Sequence, residues 1–191
     1  MLIFPGVIRN WFIGMYALGL FSVIAMSVYF LSQRKNIEKK EGILPSPGII
    51  IPLGIPFLII LTRFGEMNNG WFYIRWTGLG LSIYFLIILP WFVITLRRLA
   101  IPGIALYQDH KLVTCGPYSF VRHPMYSAAI ALWLGAALGT LNWLLLGLFP
   151  LLVFIMLRFP VRQEEALLKE KFGKEFNEYA GKTPRIIPGI W

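Results

Sequence analysis

Uncharged stretches long enough to cross a membrane alternate with short charged segments, and this alternation is the dominant pattern of the chain. Trp11 to Leu31 carries no charge over 21 positions. At about 1.5 Å per residue, that helix covers a hydrocarbon core of about 30 Å. The run ends in Gln33-Arg34-Lys35-Asn36, a stop-transfer pattern rather than a signal-peptide cleavage site, so the segment is expected to stay in the mature protein. A second uncharged run, Gly42 to Thr62, contains Pro45, Pro47, Pro52 and Pro56. Its helix is predicted to start near Gly48 and to bend where prolines remove backbone donors. The third run, Trp76 to Leu96, spans with a kink at Pro90, and Trp71 and Trp76 are placed as interfacial anchors.

After Arg97 and Arg98 comes a mixed connection of about 25 residues, longer than packed helices need and more typical of a functional loop. Residues 125–139 and 143–157 then read as a tight helical hairpin around Thr140-Leu141-Asn142. Its first arm reaches only about 22 Å, so the hairpin must thin the bilayer, tilt little or borrow residues from the segment before it. The pattern predicts an all-α fold: a polytopic membrane helix bundle of about five transmembrane helices, with a C-terminal helical hairpin and a cytoplasmic amphipathic tail. No period of 20 to 50 residues repeats, which argues against a solenoid.

Composition agrees with a bilayer as solvent: 57% of residues are hydrophobic and 14% charged. The single cysteine, Cys115, excludes an internal disulfide, and two histidines, His110 and His123, offer no zinc-ligand spacing, so no metal is expected. The net charge of +9 does not point to nucleic acid, because the basic residues flank apolar runs and suit anionic membrane lipids and topology. With five spans, the segments 33–41, 97–124 and 158–191 lie on one side and hold fifteen of the eighteen Lys and Arg residues, leaving Arg9, Arg63 and Arg75 on the other. The positive-inside rule then predicts an integral, multi-pass membrane protein with its N-terminus outside and its C-terminus in the cytoplasm.

The chemistry concentrates on that cytoplasmic side. In Arg122-His123-Pro124-Met125-Tyr126, Pro124 suits the first turn of a helix and His123 its cap. The helix amides beside Arg122 and His123 would hold a carboxylate or phosphate. The same residues are also what an ordinary interfacial helix start shows, with Arg122 snorkelling to lipid phosphate. Ser127, Ala131, Gly135 and Gly139 recur every four residues, a small-residue stripe predicted to pack the two hairpin helices together. Arg158, Arg162 and Glu165 share one helical face with Glu164 beside it, either a solvated face or a membrane-boundary site on the side of His123. Farther on, Leu168, Phe172, Phe176 and Tyr179 form an apolar face, interrupted near Gly173, and Pro184 to Trp191 reads as a lid edge or packing strap.

Gly116-Pro117-Tyr118, Arg122-His123-Pro124-Met125-Tyr126, Glu164-Glu165, Phe172-Gly173 and Tyr179 together closely resemble the isoprenylcysteine carboxyl methyltransferase and phospholipid methyltransferase superfamily of integral membrane enzymes. The resemblance covers roughly residues 110 to 191. It implies one integrated membrane domain, with N-terminal transmembrane helices in 1–96 and a catalytic region in 97–191. It implies S-adenosylmethionine as cofactor and methyl transfer to a lipidic or small hydrophobic acceptor, with a prenylcysteine-type carboxylate favoured. Carried over by residue, it implies cofactor binding by Tyr118, His123, Pro124, Tyr126, Glu164 and Glu165. Arg122, Arg158 and Arg162 become candidates for orienting an anionic acceptor, and Glu164 or His123 a base if the acceptor is an amine. Two departures bear on the acceptor: Ala128 stands where the family often has Gly, and Ile101 to Tyr107 does not match the family pattern. Phospholipid N-methylation, small-thiol methylation, a sterol-type membrane reductase using NADPH, and a small transporter or scaffold are the alternatives. A transporter would place ionisable residues along a path within the spans, and Trp11 to Leu31 has none.

Overall fold

A computed structural model describes residues 3–32, 37–40, 47–67, 71–96, 105–107 and 111–189. Six α-helices dominate it: α1 (Ile3–Ser32), α2 (Pro47–Thr62), α3 (Phe72–Leu96), α4 (Pro124–Gly139), α5 (Trp143–Arg158) and α6 (Pro160–Lys182). The stop-transfer residues 33–36, the segment 97–104 and the last two residues lie outside the described part. The helices bear out the all-α expectation, and β1 (Ile37–Lys40) and β2 (Ala105–Tyr107) pair beside them as a short antiparallel ribbon. Two extended stretches in the connections after α1 and α3 satisfy their backbone groups against each other. The ribbon joins the connection after α1 to the connection after α3, two loops that the charge count assigns to one side.

Among the described residues, three helical segments are long and apolar enough to cross a membrane: Pro5–Ala25, Phe72–Leu96 and the continuous Trp143–Lys182; Pro124–Gly139 is a shorter apolar helix. The first begins ahead of the uncharged run and takes in Arg9, and α3 likewise begins before Trp76 and takes in Arg75. The segment Trp143–Lys182 is two helices that meet at Phe159, whose φ of −110° and ψ of −80° break the helical path. The apolar part is α5, whose one charge is Arg158 at its end, and the other charges lie on α6.

The small-residue stripe on α4 packs against α3, not against α5 as the sequence predicts. Gly78 of α3 lies so close that a Cβ there would collide with the Gly135 carbonyl and the Gly139 backbone. A Cβ at Gly135 would come within 2.7 Å of the Gly78 carbonyl oxygen. Two glycine surfaces in register let the backbones touch, and the van der Waals contact they gain is what associates helices in lipid. Gly147 of α5 faces open space, so α5 offers no matching surface. Ser127 follows the stripe, with its Oγ 3.0 Å from the Tyr84 hydroxyl of α3, and Gly139 also meets the Phe12 ring of α1. The hairpin is held instead by its turn. Asn142 caps α5 by accepting from the Leu145 amide at 3.0 Å and donates to the Phe64 carbonyl at 2.8 Å, while Trp133 Nε1 donates to the Leu145 carbonyl at 2.9 Å.

At this turn end of the bundle sits Arg75, only 4% exposed. It donates to the Gly139 carbonyl at 2.9 Å and the Met67 carbonyl at 3.2 Å, so one guanidinium closes the C-terminus of α4 onto the start of α3. The core of the bundle is apolar, with Phe12, Tyr16, Ile60, Phe85, Leu132, Trp133, Leu145 and Met156 buried. Outward on α3, Ile83, Ile87 and Ile94 are exposed, as lipid-facing positions should be.

Candidate functional site

The end of the bundle opposite Arg75 gathers the motif residues, and it starts with a glycine. Gly116 has φ of 61°, a left-handed conformation, and a Cβ there would lie 2.7 Å from Thr95 Oγ1 of α3. Only glycine meets both demands without strain. The 3-10 turn Gly116–Ser119 therefore seats on α3, bringing the Tyr118 ring 6.3 Å from Phe92. Val121, fully buried, then turns the chain into Arg122 and His123.

Pro124 opens α4 and His123 is its N-cap residue, as the sequence predicts. The His123 side chain makes no capping bond, however. The amides just ahead of the helix are taken by the chain itself. The Arg122 amide donates to the Pro184 carbonyl at 2.9 Å and the His123 amide to the Arg185 carbonyl at 3.0 Å, so the C-terminal strap takes both donors. Released from capping, the buried imidazole sits between two carboxylates of α6: Nε2 is 3.1 Å from Glu165 Oε1, and Nδ1 is 3.6 Å from Glu164 Oε2. Tyr126, one turn into α4, sets its ring edge against His123 at 5.8 Å between centroids.

Glu165 is the hub. Besides His123, its Oε1 accepts from Arg185 Nε at 3.0 Å and its Oε2 from Arg185 Nη2 at 2.7 Å, a bidentate pair. Arg122 Nε lies 3.3 Å from Oε1, close enough for charge attraction but misdirected, and it is buried without a hydrogen-bond partner. Arg122 Nη1 donates to the Ala180 carbonyl at 2.8 Å, near the end of α6. Tyr179 donates to the Tyr118 carbonyl at 2.7 Å. The 3-10 turn, the helix start, α6 and the strap are thereby stitched into one unit.

The electrostatics follow. Burial alone would raise the Glu165 carboxyl, but hydrogen bonds from His123 and Arg185 and the charges of His123 and Arg122 pull it down to about 2. Burial would lower the His123 imidazole, yet its bonds to Glu164 and Glu165 and their charges hold it above its ordinary value. The Tyr118 phenol is pushed up by burial first and by the negative charge of Glu164 second, so it stays a neutral donor.

Of the residues singled out from sequence, Tyr118, Arg122, His123, Pro124, Tyr126, Glu164 and Glu165 meet here. Arg158 and Arg162 do not: both are exposed, and the Arg158 guanidinium lies 5.9 Å over the Phe159 ring. The bend at Phe159 separates the α5 end from the α6 face, so the continuous helical periodicity that put Arg158 with Glu165 fails there. Arg185 was missed. Its signal was a lone cation inside the otherwise apolar strap Pro184 to Ile190. Among the described residues, no group of three or more His, Cys, Asp or Glu is placed to hold a metal.

The family profile described as phospholipid methyltransferase matches residues 73–175, from the start of α3 to the middle of α6. A probable protein-S-isoprenylcysteine O-methyltransferase of Oryza sativa subsp. indica is 30% identical over 162 residues, covering 82% of this chain and 84% of the relative. The protein-S-isoprenylcysteine O-methyltransferase of Schizosaccharomyces pombe is 36% identical over 83 residues, 44% of this chain and 35% of its own. The cobalt-zinc-cadmium resistance protein CzcN of Cupriavidus metallidurans is 32% identical over 120 residues, 61% of this chain and 55% of its own.

Proposed function

Because the chain belongs to the phospholipid methyltransferase family and is a membrane methyltransferase, we propose that it uses S-adenosylmethionine to methylate the carboxylate of a prenylcysteine-type lipidic acceptor. The observation that carries the reading is the buried His123 held between Glu164 and Glu165 at one end of an apolar bundle. The residues fit such a donor. It brings a carboxylate, an ammonium, a sulfonium and ribose hydroxyls, and the cluster offers both signs of charge, a buried Arg122 Nε without a hydrogen-bond partner, and the Tyr118 and Tyr126 hydroxyls. When bound, the donor supplies an electrophilic methyl: the acceptor oxygen forms the new C–O bond as the S–C bond breaks, and the electron pair left on sulfur yields a neutral thioether.

The work of the chain is then to bind, align and exclude water. His123, Pro124, Tyr126, Glu164 and Glu165 would hold the donor, Glu165 through the imidazole it fixes, and Tyr118 would close the side nearest α3. Arg122 orients the acceptor carboxylate, while the exposed Arg158 and Arg162 draw an anionic headgroup to the membrane surface. Alignment of this kind supplies most of the acceleration in an in-line displacement, and a carboxylate acceptor needs no base. An amine acceptor would, and Glu164 is the more accessible carboxylate for it. The bundle crosses the membrane five times, with the N-terminus outside and this cluster in the cytoplasm, on the charge asymmetry of the loops.

Membranes carrying the chain, incubated with tritiated methyl donor and extracted for lipid, test the reading. Label that base treatment releases as volatile methanol marks a methyl ester and supports it. Base-stable label in phospholipid would move the activity to amine chemistry, and no label above membranes carrying the His123→Ala variant would remove the assignment.

A further inference from the structure

Two adjacent carboxylates enter the cluster, and their surroundings differ. Glu165 accepts two hydrogen bonds from Arg185 and one from His123, with Arg122 Nε at 3.3 Å. Oε1 alone receives the His123 bond, one Arg185 bond and the Arg122 contact, which leaves it no open lone pair. The Glu165 side chain is 13% exposed. Glu164 meets the far nitrogen of the same imidazole, at 3.6 Å, with the Tyr118, Tyr126 and Tyr179 phenols near enough to feel its charge, and its side chain is 36% exposed. One carboxylate is thus consumed by the protein's own cations, and its neighbour is nearly open.

The strap is the second half of the observation. Its carbonyls at Pro184 and Arg185 take the amides of Arg122 and His123, and the Arg185 side chain grips Glu165 through both oxygens. Ile186 is buried behind it. A planar guanidinium fork on a carboxylate fixes direction as well as distance, which a lysine ammonium does not. Arg185 therefore ties strap, α6 and the start of α4 to one carboxylate.

We propose a division of labour at this site: Glu165 is the internal anchor that Arg185 locks in place, Arg185 is a positioning residue, and Glu164 is the carboxylate that meets the positive charge of the methyl donor. It rests on the reading of the preceding subsection. The anchor holds His123 by Nε2, which leaves Nδ1 facing the Glu164 carboxylate. The cations and anions facing Glu165 are His123 and Arg122 from the segment before α4, Arg185 from the strap and Glu164 from its own helix.

Full-length protein in nanodiscs gives two independent readouts, calorimetric binding of S-adenosylmethionine and trypsin cleavage after the exposed Lys182, at the joint between α6 and the strap. Glu164→Gln should weaken donor binding on the order of tenfold or more, as for loss of a charged hydrogen bond, with cleavage after Lys182 unchanged. Arg185→Ala should speed that cleavage and weaken donor binding several-fold, with Arg185→Lys restoring both in part. If the unaltered chain shows no saturable donor binding, the methyltransferase mechanism of the preceding subsection fails. If it binds, the division of labour alone is overturned by Glu164→Gln binding as the unaltered chain does, or by Arg185→Ala leaving both cleavage and donor binding where they were.

Discussion

Two arginines lie largely buried near opposite ends of α4, and they are satisfied in opposite ways. Arg75, at the C-terminal end, spends its donors on the main-chain carbonyls of Gly139 and Met67. Arg122, at the N-terminal end, gives one donor to the Ala180 carbonyl and leaves Nε beside the Glu165 carboxylate without a hydrogen bond. Carbonyl partners are fixed by the fold, so Arg75 acts as a structural clamp, with the Glu66 carboxylate near enough to feel its charge but not hydrogen-bonded in place of those carbonyls. Side-chain partners are ionisable and can exchange for a ligand's groups, which is what the proposed donor site asks of the Arg122 end. Buried charge by itself did not distinguish the two ends; the chemistry of the partners does.

The largest expected effect separates them by activity. His123→Ala removes the group that both glutamates face, and methyl transfer in a tritium-incorporation assay should fall about a hundredfold or more in the folded fraction, a loss that its lowered melting temperature does not account for. Arg75→Met should do the reverse: it leaves two buried carbonyls without donors, at a loss of roughly 2 to 4 kcal/mol, while donor affinity of the folded fraction stays within twofold of the unaltered chain. A drop in affinity with no loss of stability in Arg75→Met would erase the contrast. Asn142→Ala, at the same end, removes the cap of α5 and should lower stability by about 1 kcal/mol, read as a smaller shift in the same thermal melt.

The smallest effect is a pH window. Glu165 ionises near 2 when folded against 4.5 as its reference value, so its stabilisation is present above 4.5 and is lost as pH falls toward 2. His123 is raised from its reference of 6.5, so its contribution is full below 6.5 and is lost as pH rises through the folded value. The pair together stabilises most between those two reference values. Melts of the unaltered chain across that range should show an optimum that Glu165→Gln flattens and Arg75→Met leaves in place.

Much of the helical layout could be read along the chain. The hairpin turn at Thr140-Leu141-Asn142, the opening of α4 at Pro124 and the break at Gly173, where φ reaches 50°, all follow from local backbone chemistry that the residues themselves impose. The partner of the small-residue stripe did not. Stripe residues announce that something approaches closely, but Gly78 lies 57 positions before Gly135 in sequence, and nothing local says that α3 rather than α5 brings the matching glycine. Arg185 was hidden for the same reason.

Hydropathy and turn chemistry act over a few residues, so the sequence by itself determined the apolar helices, their caps and the presence of an Arg-His-Pro motif near paired glutamates. Tertiary structure decided the rest: which glutamate is filled by Arg185 and which stays open, which helix face meets Gly78, and that the strap takes the amides of Arg122 and His123. Those outcomes depend on distances between groups far apart along the chain, which are fixed only when packing has closed the bundle.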